Sequence, residues 1–424
     1  MSKELYGFVP SADGGAEVVL PAAEILVPIT RSHVFTSLLL VVVFVVLYGV
    51  RLNWVLTHTP KAAAEWAVEP IKAEHVRETY ERIRREGRDL WEDKFPPRLE
   101  RRYIVVGGSG EVCWRADDFG SLGQGHPPEA IRNLDARPPF REEFTQGPAA
   151  KVQFVQTDVT SEAATLAAYM TPWPDAISRL PLTVFHTAAV IRPYERLPMF
   201  YHRSSRVNVA GTAHSLAAAR RAGATVFVFT SSVNAGWRAV RWLQFVPWAR
   251  DAYPRNFVQV ITERDFFEPM WDTGEFPTTY ARSKAEAERL VCGASDGGMR
   301  TGVIRPGCAI YGGQDANLIA RMLGMGTVPT WMASVVQNWV HVRNVTLAHM
   351  KFEEALLGEH ADKVAARPYM VTDKGPALRH SDSYTMINAV SKKSIQIINV
   401  PPVLLLLFGF ALEGYCVALM KLPC

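Results

Sequence analysis

Arg102–Gly120 reads RYIVVGGSGEVCWRADDFG, and its first half decides the fold. Tyr103 to Val106 is a short apolar run rich in β-branched residues, and it ends at Gly107, Gly108 and Gly110. A buried strand that empties into a glycine turn brings backbone N–H groups close to a pyrophosphate at a helix start. Glycine turns after strands are common, so the neighbouring sequence determines what this one is.

Downstream the same texture repeats. AIRNLD, VQFVQTD, LTVFHTAA, TVFVFTSS and RTGVIRPG are short runs rich in Val, Ile, Phe and Thr, separated by polar or amphipathic stretches. This alternation predicts an α/β fold, a Rossmann-type doubly wound parallel sheet covered by helices on both faces. The nucleotide-binding domain is expected over 102–310, and a smaller C-terminal substrate lobe over 311–424. The second run ends at Asp135, spaced from the glycines as an acid that meets the adenosine ribose hydroxyls and repels a 2′-phosphate. NAD is therefore expected, with NADP disfavoured, a preference that Arg137 softens. An ordinary turn aspartate is the alternative. Asp158 and Val159 close the next run, where an adenine edge could be held; a turn aspartate fits there too.

FPTTYARSKAEAERLV, starting at Phe276, sets Tyr280 and Lys284 four apart in a helical pattern, hence on one helix face. A tyrosine ionises near pH ~10 and is a poor base at neutrality. A neighbouring ammonium favours the phenolate and is expected to lower that value. Lys284 could also bond the nicotinamide ribose. A YxxxK match is frequent by chance, but here VFVFTSSVNAG precedes it. Ser231 and Ser232 end a run where a hydroxyl can hold a substrate oxygen beside the tyrosine; turn capping is their plainer role.

The chain has 424 residues, 48% of them hydrophobic and 21% charged, with a formal net charge of +4. That small charge gives no case for nucleic acid, which needs a clustered basic face. The 5 cysteines are scattered, with no CxxC and no metal-ligand spacing, so no metal is expected. Val34 to Val50 reads VFTSLLLVVVFVVLYGV, without a charge. With the continuation to Leu56 it reaches the ~30 Å of a bilayer core. The expected order is a tail over 1–32, a transmembrane anchor over 33–56 and a juxtamembrane helical linker over 57–101. Lys3 and Arg31 precede the uncharged run Val34–Val50, whereas Arg51, Lys61, Lys72, Arg77 and Arg82 follow it, so the large domain is expected to face the cytosol. Near the C-terminus, VPPVLLLLFGFALEGYCVALMKLP is apolar but interrupted by two prolines, two glycines and Glu413. A core or substrate-gating helix pair is expected there; the alternatives are contact with the membrane face and a full second span, the latter weakened by Glu413 near its middle.

The order of glycine turn, acid, TSS and YxxxK resembles the extended short-chain dehydrogenase/reductase family. More narrowly, it resembles the 3β-hydroxysteroid dehydrogenase/isomerase branch, including sterol-4α-carboxylate 3-dehydrogenases. The shared phrases are VFHTAAVIRPYER, NVAGT, FVFTSS, YARSKAEAE, VIRPGCAIYG and WVHVRNVTLAH. The resemblance implies Tyr280 as catalytic base, Lys284 as its partner and Ser232 as catalytic serine, with Ser231 in reserve. It implies Gly107, Gly108 and Gly110 at the pyrophosphate, Asp135 at the ribose, and Asp158 with Val159 at the adenine. Ala188 and Ala189 would lie beside the cofactor, Pro306 beside the nicotinamide, and Asn208 would be structural. It further implies NAD as cofactor, a sterol or other lipid alcohol as substrate, the endoplasmic reticulum membrane as location, and admits a homodimer.

One departure stands out. The family pattern GGxGFxG gives way here to GEVCWRADDFGSLGQGH, with Cys113 at the last glycine and Gly120, Gly123 and Gly125 each unfavourable to a helix by up to ~1 kcal/mol. The distance to Asp135 is kept, so the segment is substituted rather than deleted, by divergence or by a replaced exon. The expected function is therefore hydride transfer between NAD and a secondary alcohol. The alternatives are a catalytically inactive membrane interaction protein, and a reductase or epimerase acting on another substrate.

Overall fold

The computed structural model describes residues 31–87, 91, 94–110, 125–139, 144, 146–242, 252–312 and 319–421, with backbone only at 31–33, 320 and 421. The expectations for the tail before Arg31, and for Cys113, Gly120 and Gly123, lie outside the described residues. Two compact units divide the chain, Met1–Arg51 and Leu52–Cys424. The first holds most of helix α1 (Arg31–Thr57), whose side chains from Val34 to Leu47 are exposed. Val34–Ala64 is apolar and long enough to be a candidate membrane span, with a mean hydropathy of 2.4 in its best window.

The second unit is built on a seven-stranded parallel sheet. Its strands are β1 (Arg102–Val106), β2 (Ile131–Asp135), β3 (Gln153–Gln156), β4 (Leu182–His186), β5 (Ala224–Thr230), β6 (Arg300–Pro306) and β7 (Pro368–Val371). They lie in the order β7-β6-β5-β4-β1-β2-β3. Strands covered on both faces need apolar side chains on both, which is why these segments read as continuous runs. On one face Ile104, Leu134, Val184, Phe227 and Phe229 pack against helices α3 (Glu162–Met170), α4 (Gly211–Arg221) and α5 (Thr279–Gly293). On the other, Tyr103, Val105, Ile131, Phe185 and Val228 meet Phe352 and Leu356 of α6 (Val342–Leu357). The remaining longer helices are α2 (Ala73–Glu86), α7 (His380–Val390) and α8 (Pro402–Lys421).

Strand order reverses between β1 and β4, and the crevice outside their carboxyl ends is where such sheets bind ligands. Two features differ from the sequence reading. The stretch 311–424 was expected to form a separate lobe, but Pro368–Val371 within it form β7, paired in parallel with β6. The C-terminal apolar segment is not a buried helix pair but the single helix α8, with most of its side chains exposed.

Candidate active site

The glycine turn and the β4 loop are locked together. Gly107 has φ +85°, a conformation that favours glycine, and a Cβ there would lie 2.5 Å from the Ala188 backbone. Gly108 is buried and Gly110 half-buried, the Gly110 N–H donating to the Gly107 carbonyl at 3.2 Å. Asp135 ends β2 as expected. Its carboxylate accepts from the Ser109 N–H at 3.0 Å and from the Arg137 N–H at 3.1 Å, so it is the Arg137 backbone that meets the acid. Asn133 donates to Ser109 Oγ at 3.1 Å, while its own Oδ1 is buried without a partner. A glycine cradle closed by backbone, an acid at the end of β2 and an unmatched buried acceptor fit the pyrophosphate and adenosine ribose of a dinucleotide.

Asp158 lies two residues past β3, exposed, and takes the Thr160 N–H at 2.9 Å, which holds its carboxyl below the usual range. Val159 is buried, its Cγ2 2.8 Å from where a Cβ on Gly211 would sit. Asp158 thus holds the turn after β3, and Val159 lies against the start of α4. Ala188 is half-buried and Ala189 exposed.

Asn208 links this loop to the YxxxK helix. It sits in a single π-helical turn, Arg206–Ala210, ahead of α4. Its side chain accepts from Val190 N–H at 2.8 Å, and donates to Val190 O at 3.0 Å and to Ser283 Oγ at 2.9 Å. The Ser283 hydroxyl in turn donates to Tyr280 O at 2.8 Å. A second tie runs from the Thr279 N–H to the Glu195 carbonyl at 2.8 Å. Thr278 caps α5 by accepting from Ala281 N–H at 3.0 Å.

On α5, Tyr280 and Lys284 share one face and are buried. The Ser232 hydroxyl caps the turn after β5, accepting from the Asn234 N–H at 3.2 Å, and lies near enough to the Tyr280 hydroxyl to favour its ionised form. Ser231 Oγ, by contrast, is buried without a partner, and its N–H donates to Ile304 O at 2.7 Å. Pro306 is buried at the carboxyl end of β6, beside this pair of serines. Three groups expected together, Ser232, Tyr280 and Lys284, thus converge at the ends of β5 and β6.

The acidity of Tyr280 departs from expectation. Burial pushes its hydroxyl up to about 12, opposed by the Ser232 hydroxyl, with Cys308 and Glu288 adding to the rise. The Lys284 ammonium donates to the Thr230 carbonyl at 2.8 Å and sits 4.6 Å over the Phe229 ring. Spacing alone places the two on one face but does not aim the ammonium.

Sequence reading missed the buried support beneath. Arg305 donates to both Glu288 oxygens, Nε at 2.8 Å and Nη2 at 2.7 Å, with both side chains almost wholly inaccessible. Glu288 continues the Tyr280–Lys284 face by one more turn, and Arg305 directly precedes Pro306; both signals were present in the sequence. Thr230 Oγ1 also pairs with His349 Nε2 at 2.6 Å.

The comparisons agree with this geometry. The family model described as Male sterility protein, an NAD-binding family, matches residues 125–344, just over half of the 424. The match starts at Gly125, in the last two residues of the substituted segment. A mouse protein (Mus musculus) named short-chain dehydrogenase/reductase family 42E member 1 is 28% identical over 182 residues, covering 40% of this chain and 41% of that protein. A Caenorhabditis elegans protein named 3beta-hydroxysteroid dehydrogenase/Delta(5)-Delta(4) isomerase 1 is 28% identical over 246 residues, 54% of this chain and 45% of that protein. The chain therefore spans less than half the length of these two curated relatives. Among solved structures, the terminal R domain from the myxalamid PKS-NRPS pathway aligns with a TM-score of 0.50 at 16% identity, covering 73% of this chain and 76% of that one, a likeness of fold. With this family model spanning half its length and its sheet, glycine turn and YxxxK helix in place, the chain belongs to the NAD-binding male sterility protein family, of short-chain dehydrogenase/reductase type, and its cofactor is NAD.

Proposed function

We propose that the protein is a membrane-anchored dehydrogenase moving hydride between NAD and a secondary alcohol, the 3β-hydroxyl of a sterol or steroid. The observation that carries this reading is the Tyr280–Ser232 hydroxyl pair, with Lys284 one helical turn on. Ser232 holds the substrate oxygen, and Tyr280 takes the hydroxyl proton in oxidation and returns it in reduction. Bound NAD supplies the hydride acceptor. Lys284 stabilises the phenolate and orients the ribose once drawn from the Thr230 carbonyl. Gly107, Gly108 and Gly110 receive the pyrophosphate, Asp135 the ribose, and Asp158 with Val159 flank the adenine. Ala188, Ala189 and Pro306 wall the nicotinamide.

The sterol is favoured by the relative named for 3beta-hydroxysteroid dehydrogenase and by two long, exposed apolar helices, which suit a substrate dissolved in lipid. The basic residues after α1 favour a cytosolic catalytic unit on the endoplasmic reticulum.

A second reading has its own observation: the family match begins only at residue 125, beyond the glycine turn. On that reading the chain is a catalytically inactive membrane interaction protein. The test is a panel of sterol 3-alcohols with NAD and with NADP, on the purified full chain and on Tyr280→Phe, alongside calorimetry of NAD. NADH formation by the wild type that falls at least 100-fold in the variant supports the enzyme. A folded protein with no measurable NAD binding supports the inactive reading, and turnover of a different alcohol moves the substrate assignment.

A further inference from the structure

α8 presents a puzzle of charge and length. It is apolar enough to count as a candidate membrane span, with mean hydropathy 2.2 over Pro402–Met420. Its outward side chains are bare: Leu404 is 57% exposed, Leu407 59%, Phe408 64%, Tyr415 61% and Leu419 50%. Yet Glu413 lies near its middle, with roughly 16 Å of helix before it and roughly 12 Å after it at 1.5 Å per residue.

That glutamate is not free. Arg196 donates to it twice, Nε to Oε1 at 3.3 Å and Nη2 to Oε2 at 3.1 Å, while the same guanidinium stacks 4.7 Å from the Phe410 ring. Arg196 follows Glu195, whose carbonyl holds the Thr279 N–H at the head of the Tyr280 helix. The midpoint of α8 is thus fastened to the loop beside the site. Its start is fastened too. Strand Gln396–Asn399 pairs with Thr327–Thr330 just before it, and Val403 N–H meets Asn53 Oδ1 at 3.4 Å. The less exposed positions of α8 are Pro402, Val403, Leu405, Leu406, Glu413 and Val417, all within one side of the helix, which is the side turned to the protein surface.

A helix crossing a bilayer would carry its midpoint about 15 Å deep into hydrocarbon. Here that would drag Arg196 and its loop to the same depth, with the folded catalytic unit behind them. A helix held flat by its start and its middle can only offer its bare side sideways. That exposed side carries no charged side chain between Leu404 and Met420, which suits hydrocarbon better than the mixed surface of a protein partner.

We propose that α8 is an in-plane membrane helix. Its outer face is seated at the headgroup–acyl boundary of a bilayer, and Arg196–Glu413 clamps it to the loop that borders the active site. Ile191 and Tyr194 of that loop, 60% and 71% exposed, add to the lipid-facing surface. The lipid reaches the rim of the site through the same segment that positions the YxxxK helix. The inference stands whichever alcohol the site takes.

The test uses the full chain in phosphatidylcholine–phosphatidylserine vesicles, with native cysteines replaced by serine and a nitroxide placed singly through Leu404→Cys, Phe408→Cys, Leu412→Cys or Leu419→Cys. Depth is read from oxygen against nickel-chelate accessibility. All four labels are expected at one shallow depth. A depth profile that peaks at Leu412 and falls towards both ends overturns the proposal in favour of a crossing helix. Labels shielded from both reagents, with spin–spin broadening between chains, overturn it in favour of a second copy. For the clamp, a label at Ile191→Cys is expected to gain mobility in Arg196→Gln and in Glu413→Gln, with no further gain in the double variant. Unchanged mobility in both single variants overturns the clamp while leaving the depth result to stand by itself.

Discussion

Tyr280 shows how much one side chain depends on its surroundings. Burial holds its proton up to about 12, with the Ser232 hydroxyl pulling the other way. A base that holds its proton this tightly is mostly protonated at neutral pH. Alcohol oxidation, which needs the phenolate, should therefore climb about tenfold per pH unit across the neutral range, while carbonyl reduction, which needs the proton, should stay level there. Profiles of kcat/KM in both directions check this; a flat oxidation profile would remove Tyr280 as the base. Gly107 offers a steric counterpart. Gly107→Ala forces a left-handed residue to carry a Cβ 2.5 Å from the Ala188 backbone, so NAD affinity should fall more than tenfold while circular dichroism shows the sheet retained. An unchanged NAD affinity by calorimetry would mean the turn does not receive the cofactor. At this scale the sequence was readable wherever chemistry is local. Gly107, Asp135 and Ser232 stand at or just past the ends of strands, and Tyr280 and Lys284 in the first two turns of a helix, as their spacing implied. The direction of the Tyr280 shift was not readable, because it is set by packing from several strands.

Among the elements, parallel strands buried on both faces announced themselves as apolar runs, and β1 to β6 fall where those runs lie. β7 did not, because Pro368–Val371 is short and arrives after a long excursion, and only its pairing with β6 shows that it extends the sheet. The apolar C-terminus suggested core by composition; α8 corrects that, since composition cannot say which side of an element meets protein. Asn208 is the joint between elements. Asn208→Ala removes the bonds to both Val190 backbone groups and to Ser283, so the cofactor loop and α5 lose their common tie. The buried partners left behind cost about 1–3 kcal/mol. The expected readout is a lower thermal midpoint together with a raised KM for NAD. A variant with wild-type stability and KM would show that the Thr279–Glu195 tie suffices.

For the whole molecule, acid is the weak flank. His126, His186, His349 and His380 are buried, and burial lowers them from 6.5 to about 4, about 3, about 4 and about 4. Their folded values are depressed, so the stability they contribute is present above pH ~6.5 and drains away as pH falls towards their folded values. Each costs roughly 1.4 kcal/mol per pH unit in that window. Thermal midpoints should therefore drop steeply below pH 6.5, and His349→Gln should make the drop shallower by about one proton. An acid limb of equal slope in that variant would clear His349 of the role. None of this was readable from composition, because a histidine count says nothing of burial. The central claim, that the buried Tyr280–Ser232 pair and Lys284 serve hydride transfer from a sterol alcohol to NAD, is tested most directly with a 3β-sterol deuterated at C3. Deuterium should appear in the reduced cofactor with wild-type protein, and be lost with Tyr280→Phe although that variant still binds NAD. A folded, NAD-binding wild type that transfers no deuterium, or a variant that transfers it undiminished, would contradict the claim.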